Sequence, residues 1–235
     1  MTKIGIVVFG CLTISKYRIQ LEDILDTWGG EAIKSGHILR FYVGDIPEDC
    51  SDEMKSICID VKYGDSYLSA MYKQWYGLEN IVSNICDAYY ICGSDTILNV
   101  RNAVKALEVI DMTKKLYIGD KNSMGCENID GESYPYFSGG AGFFLTYYAL
   151  KDMIEEIPNF VSWWMEVSYE SPLSIVTACD LQMAVLCVKR NIEKEYIQSM
   201  YGSIKYDDVD KNTFISCHPM THENVCNYYS FMKCD

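Results

Sequence analysis

The hydrophobic positions of this chain switch between two spacings, one strand-like and one helical. KIGIVVFG (Lys3 to Gly10) is a compact β-branched run ending in glycine, which predicts a buried strand. In KYRIQLEDILDTWGG, Ile24, Leu25 and Trp28 share one helical face, and Gly29 is the expected C-terminal stop. ILRFYVGD (Ile38 to Asp45) and SICIDVKY (Ser56 to Tyr63) read as two more strands. From Asp65 to Asn84 the spacing of Leu68, Met71, Trp75, Leu78 and Val82 predicts a helix. DAYYIC is a further strand, NVRNAVKALEVI a helix with Asn99 as its N-cap, and KLYIGD a strand again. Such alternation argues for an α/β fold, with a mostly parallel central sheet and helices on both faces. The second half is less regular: strand-like YPYFSGGAGFFL, a helix from Thr146, and a helix from about Asp180 to Arg190. No linker, low-complexity tract or internal repeat interrupts residues 1–235, so one domain is expected.

Composition narrows the function. With 49% hydrophobic and 23% charged residues the chain is ordinary globular material. Its 33 acidic residues against 20 basic give a net charge of −13, a field that repels nucleic acid and acidic membrane surfaces. No apolar run is long enough to span a bilayer. MTKIGIVVFG is too short and too strand-like for a signal peptide, so the expectation is a soluble, cytoplasmic protein. A segment trimmed from a secretory-pathway protein would read the same way. Eleven cysteines, an odd number without a C-x-x-C pair, are expected to be mostly reduced. CHPMTHENVC (Cys217 to Cys226) comes nearest to a metal knuckle, but Pro219 spoils a helical His-x-x-x-His face, and no structural zinc is expected there. The 19 tyrosines and 4 tryptophans suit stacking on sugars or bases, although most belong in a core.

The usual phosphate and hydrolase motifs, G-x-G-x-x-G, G-x-x-x-x-G-K-[ST] and G-x-S-x-G, are all missing. Four other features carry possible chemistry. Asp95 follows strand YYIC in GSDT, where open α/β sheets place ligands, although a turn aspartate capping the next element has the same pattern. SGGAG (Ser138 to Gly142) allows close backbone approach to a ligand, as would a bulge or tight packing. Asp180 in ACDLQMAV precedes an apolar helix and is equally a plain N-cap. His218 follows the strand-like TFISC.

In this order the features resemble the Fringe-like β-1,3-glycosyltransferases, nucleotide-diphospho-sugar transferases of the GT-A fold. The resemblance runs from YRIQLEDILDTW through YYICGSDTILN, LYIGD, FSGGAGFFL and ACDLQMA to CHPMTHENV, nearly the whole chain. It implies a single GT-A domain, with 1–120 as the nucleotide-binding half and 121–235 as the acceptor and catalytic half. The implied activity is inverting transfer of a hexosyl group from a UDP-sugar donor to a glycan or glycosylated acceptor, forming a β-1,3 linkage.

Residue roles come from the same resemblance. Asp95 matches the third acid of the family's acidic triplet and His218 the family's histidine; together they are the expected ligands of Mn²⁺ or another divalent cation, to which carboxylate and imidazole are suited. Asp180 matches the catalytic base. Gly139 and Gly140 would form the floor under the donor sugar, and Arg18 would lie near the nucleotide. Lys73 offers a second cation, but a solvated helix lysine has the same pattern. Gly93 and Ser94 stand where the family has its first two acids, a departure that weakens metal binding or leaves Ser94 to contact the ribose. Two alternatives follow: a catalytically inactive nucleotide-sugar-binding protein of the same fold, and a carbohydrate-binding module built on aromatic platforms.

Overall fold

β1 (Ile4–Phe9) forms on the β-branched run, and its residues from Ile4 to Val8 are buried. Strand alternation sends Ile4, Ile6 and Val8 to one face of a central sheet and Val7 to the other. The computed structural model describes residues 2–129, 131–170, 175–203 and 208–232. Beside β1 lie β2 (Ile38–Val43) and, beyond it, β3 (Cys58–Asp60). On the other side lies β4 (Ala88–Gly93), which puts Tyr90 and Cys92 on the first face and Tyr89 and Ile91 on the second. These four strands are parallel.

Outward from β4 the sheet continues through β9 (Phe143–Thr146), β6 (Leu116–Asp120) and β10 (Glu193–Ile197), giving seven strands in the order β10-β6-β9-β4-β1-β2-β3. β9 runs antiparallel to both its neighbours, whereas β6 and β10 are parallel. Helices α1 (Ser15–Asp26), α2 (Trp28–Lys34) and α5 (Val100–Leu107) cover the first face through Leu21, Ile24, Trp28 and Leu107. Helices α4 (Ser69–Ile81), α6 (Tyr147–Ile154), α7 (Ile157–Glu170) and α8 (Cys179–Lys189) cover the second, with Trp75 and Trp164 among their largest buried groups. The expected α/β sheet with helices on both faces is therefore present.

Several elements differ from the expectation. Gly29 does not stop a helix: the break falls at Thr27 (φ −123°, ψ −117°), and Gly29 lies buried inside α2. A β-carbon there would sit 2.7 Å from the Ile24 carbonyl oxygen and 2.8 Å from Leu39, so glycine is what lets α2 fold back onto β2. In SICIDVKY only Cys58 to Asp60 is strand, because Ser51 caps α3 (Asp52–Ile57) by accepting from the Met54 N–H at 3.2 Å. Asp52 and Glu53 in the first turn favour that helix electrostatically. YPYFSGGAGFFL is split: β8 (Glu132–Phe137) pairs with β7 (Met124–Ile129) in a separate hairpin, and only the end of the segment joins the main sheet. The N-cap at Asn99 is as expected, accepting from the Asn102 N–H, and the helix expected from Thr146 has that residue as its cap, accepting from the Ala149 N–H.

A small second sheet positions the site. β12 (Ser216–Cys217) pairs antiparallel with β5 (Ile97–Leu98) and parallel with β11 (Met200–Tyr201), so the chain after β12 emerges beside the end of β4. The described cysteines are all free thiols. Among the described residues no helix is long and apolar enough to cross a membrane.

Candidate functional site: a cleft at the switch point of the sheet

From β1 the chain goes on to β2 on one side, while β4 lies on the other. Connections leaving the carboxyl ends of β1 and β4 therefore diverge, which opens a crevice there. A cleft of about 780 Å³ occupies this position. Gly10, Gly93, Ser94, Asp95, Gly139, Gly140, Asp180 and His218 all line it.

Asp95 and His218, far apart in sequence, meet through the small sheet. His218 N–H donates to the Tyr201 carbonyl, and Met220 N–H donates to the Asp95 carbonyl, both at 3.0 Å. These bonds bring His218 Nε2 to 3.3 Å from Asp95 Oδ2. The other ring nitrogen, Nδ1, lies 3.0 Å from the Gly202 carbonyl oxygen, which can only accept. A neutral His218 thus carries its proton on Nδ1 and turns the Nε2 lone pair toward Asp95. Burial pushes the Asp95 carboxyl up, but the hydrogen bond and charge of His218 more than offset it, leaving it below the usual carboxylate range. Burial likewise pulls His218 down, and Asp95 and the Gly202 carbonyl more than restore it, so the ring is more basic than usual. One carboxylate and one available imidazole nitrogen fit a divalent cation, which would take the place of the proton between them.

The two glycines connect this pair to Asp180. Gly139 N–H donates to Asp180 Oδ2 at 3.0 Å, while Asp180 Oδ1 accepts from Leu181 N–H at 2.9 Å. A β-carbon at Gly140 would lie 2.5 Å from His218 Nδ1, and one at Gly139 would lie 3.3 Å from the Asp180 β-carbon. Glycine at both positions leaves the space that His218 and Asp180 occupy, and both glycines also line the cleft. Thr96 Oγ1 also donates to the Gly140 carbonyl at 2.9 Å, fixing the turn from below.

Asp180 sits in the first turn of α8, but it is not the N-cap; Ala178 holds that place. The start of α8 is held by groups the sequence did not single out. Gln182 is fully buried, accepts from Trp75 Nε1 at 2.8 Å and donates to the Val176 carbonyl at 2.9 Å. Gln74 donates to the Cys179 carbonyl at 3.0 Å. The only signal for them was polarity at buried helical positions, Gln74 beside Trp75 and Gln182 within an apolar run.

Ser94 is buried, and its hydroxyl pairs with Gln20 Oε1 at 2.7 Å rather than standing free for a ribose. A β-carbon at Gly93 would lie 3.1 Å from Asp95 Oδ1, so glycine leaves room for that carboxylate. Arg18 does not line the cleft. Its guanidinium donates to Asp49 at 2.8 Å and to Glu22 at 3.1 Å, an ion-pair cluster on α1 that holds the loop before α3. Lys73, expected to be solvated, is instead buried in the cleft wall. Its ammonium donates to Asp65 Oδ1 at 2.6 Å and to the Gly10 carbonyl at 2.8 Å, and the two side chains are only 4% and 8% exposed. Asp65 also accepts from Gly44 N–H and from the Thr13 hydroxyl. Gln74 and Lys73 face the same cleft, at the end of β1.

No protein-family model and no curated protein matches this chain. Its fold is similar to a solved glycosyltransferase involved in glycosylation of the major capsid of PBCV-1, with 17% identity, a TM-score of 0.51, and 96% of this chain and 99% of that one covered. It is also similar to the glycosyltransferase GlyE of Streptococcus pneumoniae TIGR4, with 14% identity and a TM-score of 0.54. That match covers 97% of this chain but 60% of the pneumococcal one. The chain therefore has an α/β fold related to glycosyltransferase structures.

Proposed function

We propose that this protein is a metal-dependent, inverting glycosyltransferase that moves a hexosyl group from a UDP-sugar to an acceptor hydroxyl on a glycan, forming a β-1,3 linkage. The observation that carries the reading is the joint lining of one switch-point cleft by the Asp95–His218 pair and by Asp180. The fold likeness to glycosyltransferases and the Fringe-like order of motifs support it; the linkage and the UDP donor rest on that resemblance alone.

The reaction breaks the bond between the anomeric carbon and the diphosphate, and forms one to the acceptor oxygen. Asp95 and His218 Nε2 would hold Mn²⁺, which when bound supplies positive charge against the departing diphosphate. Asp180 takes the proton of the acceptor hydroxyl as its oxygen attacks. Each Asp180 oxygen spends one lone pair on a backbone N–H and keeps another. The Gly139 and Leu181 N–H groups thereby fix the carboxylate without consuming its capacity to accept a proton. Gly139 and Gly140 set the distance between base and metal ligands, since each packs against one of them.

The second reading is an inactive protein that binds nucleotide-sugars. Gly93 and Ser94 in place of two acids favour it, as does the commitment of Ser94 to Gln20. Incubation with a panel of UDP-sugars and Mn²⁺, with and without acceptor glycans, decides between them. Release of UDP that depends on acceptor supports the enzyme. UDP binding without turnover on any donor supports the inactive protein.

A further inference from the structure

A second group of ligand-type side chains lies outside the cleft, where α9 (His222–Met232) packs on α1. His222 Nδ1 is 2.6 Å from Asp23 Oδ1, and Cys226 Sγ is 3.8 Å from His222 Nε2. His222 and Cys226 are one helical turn apart, so both project from the same face of α9. One atom from each of the three residues falls within 4.8 Å of the others. Asp23 is only 8% exposed, and its second oxygen, Oδ2, is buried with no hydrogen-bond partner among the described residues. A carboxylate buried at this cost is better stabilised when the ring it faces carries positive charge on its far side.

We propose that His222 Nε2 and Cys226 Sγ bind Zn²⁺, with Asp23 as the carboxylate that accepts from Nδ1–H and orients the ring. Zinc bonds of about 2.0 Å to nitrogen and 2.3 Å to sulfur put tetrahedral ligand atoms about 3.6 Å apart, close to the separation present here. A carboxylate behind the ligating imidazole fixes its tautomer and raises its basicity. Imidazole with thiolate selects zinc over the hard cations Mg²⁺ and Mn²⁺, so the site differs in chemistry from Asp95 and His218. Water would complete the coordination, because His222 and Cys226 are exposed. Ligation at Nε2 makes Nδ1–H a stronger donor and so strengthens the His222–Asp23 hydrogen bond that joins α9 to α1. It thereby steadies the segment that also carries His218, four positions before His222. Asp23 and His222 share the lining of a cavity of about 10 Å³ with Ser94 and Asp95, so the two sites adjoin. None of this depends on the chain being a glycosyltransferase.

The test is alkylation of the thiols of the full chain, read site by site by mass spectrometry of peptides. Zn²⁺ should slow the reaction of Cys226 in proportion to the fraction bound, while the exposed Cys126 keeps its metal-free rate. Mn²⁺ should give no protection. His222→Ala, a change at an exposed side chain, should abolish the effect of zinc, and Asp23→Asn should weaken zinc affinity by about 10–100-fold. Equal alkylation of Cys226 with and without Zn²⁺ overturns the site. So does protection that survives His222→Ala, because the thiol is then shielded by something other than this pair.

Discussion

Replacing Asp180 by asparagine separates its chemical role from its structural one. The carboxylate accepts two backbone N–H bonds, from Gly139 at 3.0 Å and from Leu181 at 2.9 Å. An amide has one oxygen and one NH₂ group, so one of those N–H groups loses its acceptor and faces a donor. An unsatisfied donor costs about 1–3 kcal/mol, and the half-buried position, which admits water, puts this case at the lower end. For a domain of this size, about 1 kcal/mol lowers Tm by roughly 2–4 °C. The variant should therefore fold, and melt slightly early. Loss of a general base costs about 10²–10⁴-fold in rate. That is about 2.7–5.5 kcal/mol of barrier, well beyond the structural loss. The assay pairs sugar transfer at saturating donor with thermal melting and UDP binding by calorimetry. Transfer should collapse while UDP affinity holds. A folded variant that transfers sugar at the wild-type rate refutes the assignment of the base. One that loses UDP affinity in step with transfer shows that Asp180 acts by holding the Gly139 turn.

Three further outcomes follow from the geometry. UDP should bind more tightly with Mn²⁺ than in excess chelator, and His218→Ala should erase the difference; calorimetry showing equal affinity in both conditions would mean a metal-free site. Asp65→Asn should cost about 3–5 kcal/mol in chemical denaturation, because it strands the buried Lys73 ammonium. Burial pushes the Asp65 carboxyl up, but the hydrogen bonds from Lys73 and Thr13 hold it below the usual range. Its contribution is therefore present above the unfolded value of about 3.9 and lost as pH falls through the lower folded value, so the gap between variant and wild type should narrow in acid. His37 is buried and accepts the Ile4 N–H on Nδ1 at 3.1 Å, and burial, helped by the charge of Lys3, makes it less basic than usual. Stability from this group is complete above the unfolded value of about 6.5 and falls as pH drops through the lower folded value. A His37→Gln variant should lose that part of the pH slope between neutral and mildly acidic buffer, and an unchanged slope would place its origin elsewhere.

Local spacing determined much of the framework. β1, β4 and β6, the helix α4 and the Asn99 cap of α5 were legible because each depends on residues close in sequence: a β-branched run, a helical stripe, a side chain reaching three residues forward. Ser51 carries the same kind of signal for α3, but the apolar residues behind it read as strand. The antiparallel insertion of β9 between β4 and β6 was not legible, since strand order is set by which faces can be buried together, and no local pattern encodes that. The site divides the same way. Glycine at 139 and 140 announced a close approach, but only the fold shows that the approaching groups are Asp180 and His218. Arg18 and Lys73 exchanged their expected surroundings: the arginine joins Asp49 and Glu22 away from the cleft, while the lysine is buried in its wall against Asp65. A cation's partner is fixed by where distant segments cross, and that crossing belongs to the sheet and not to either helix. The 3.3 Å approach of His218 to Asp95 arises likewise from the pairing of β12 with β5: TFISC is strand-like in sequence, but the two residues of β5 carry too little pattern to name it as the partner.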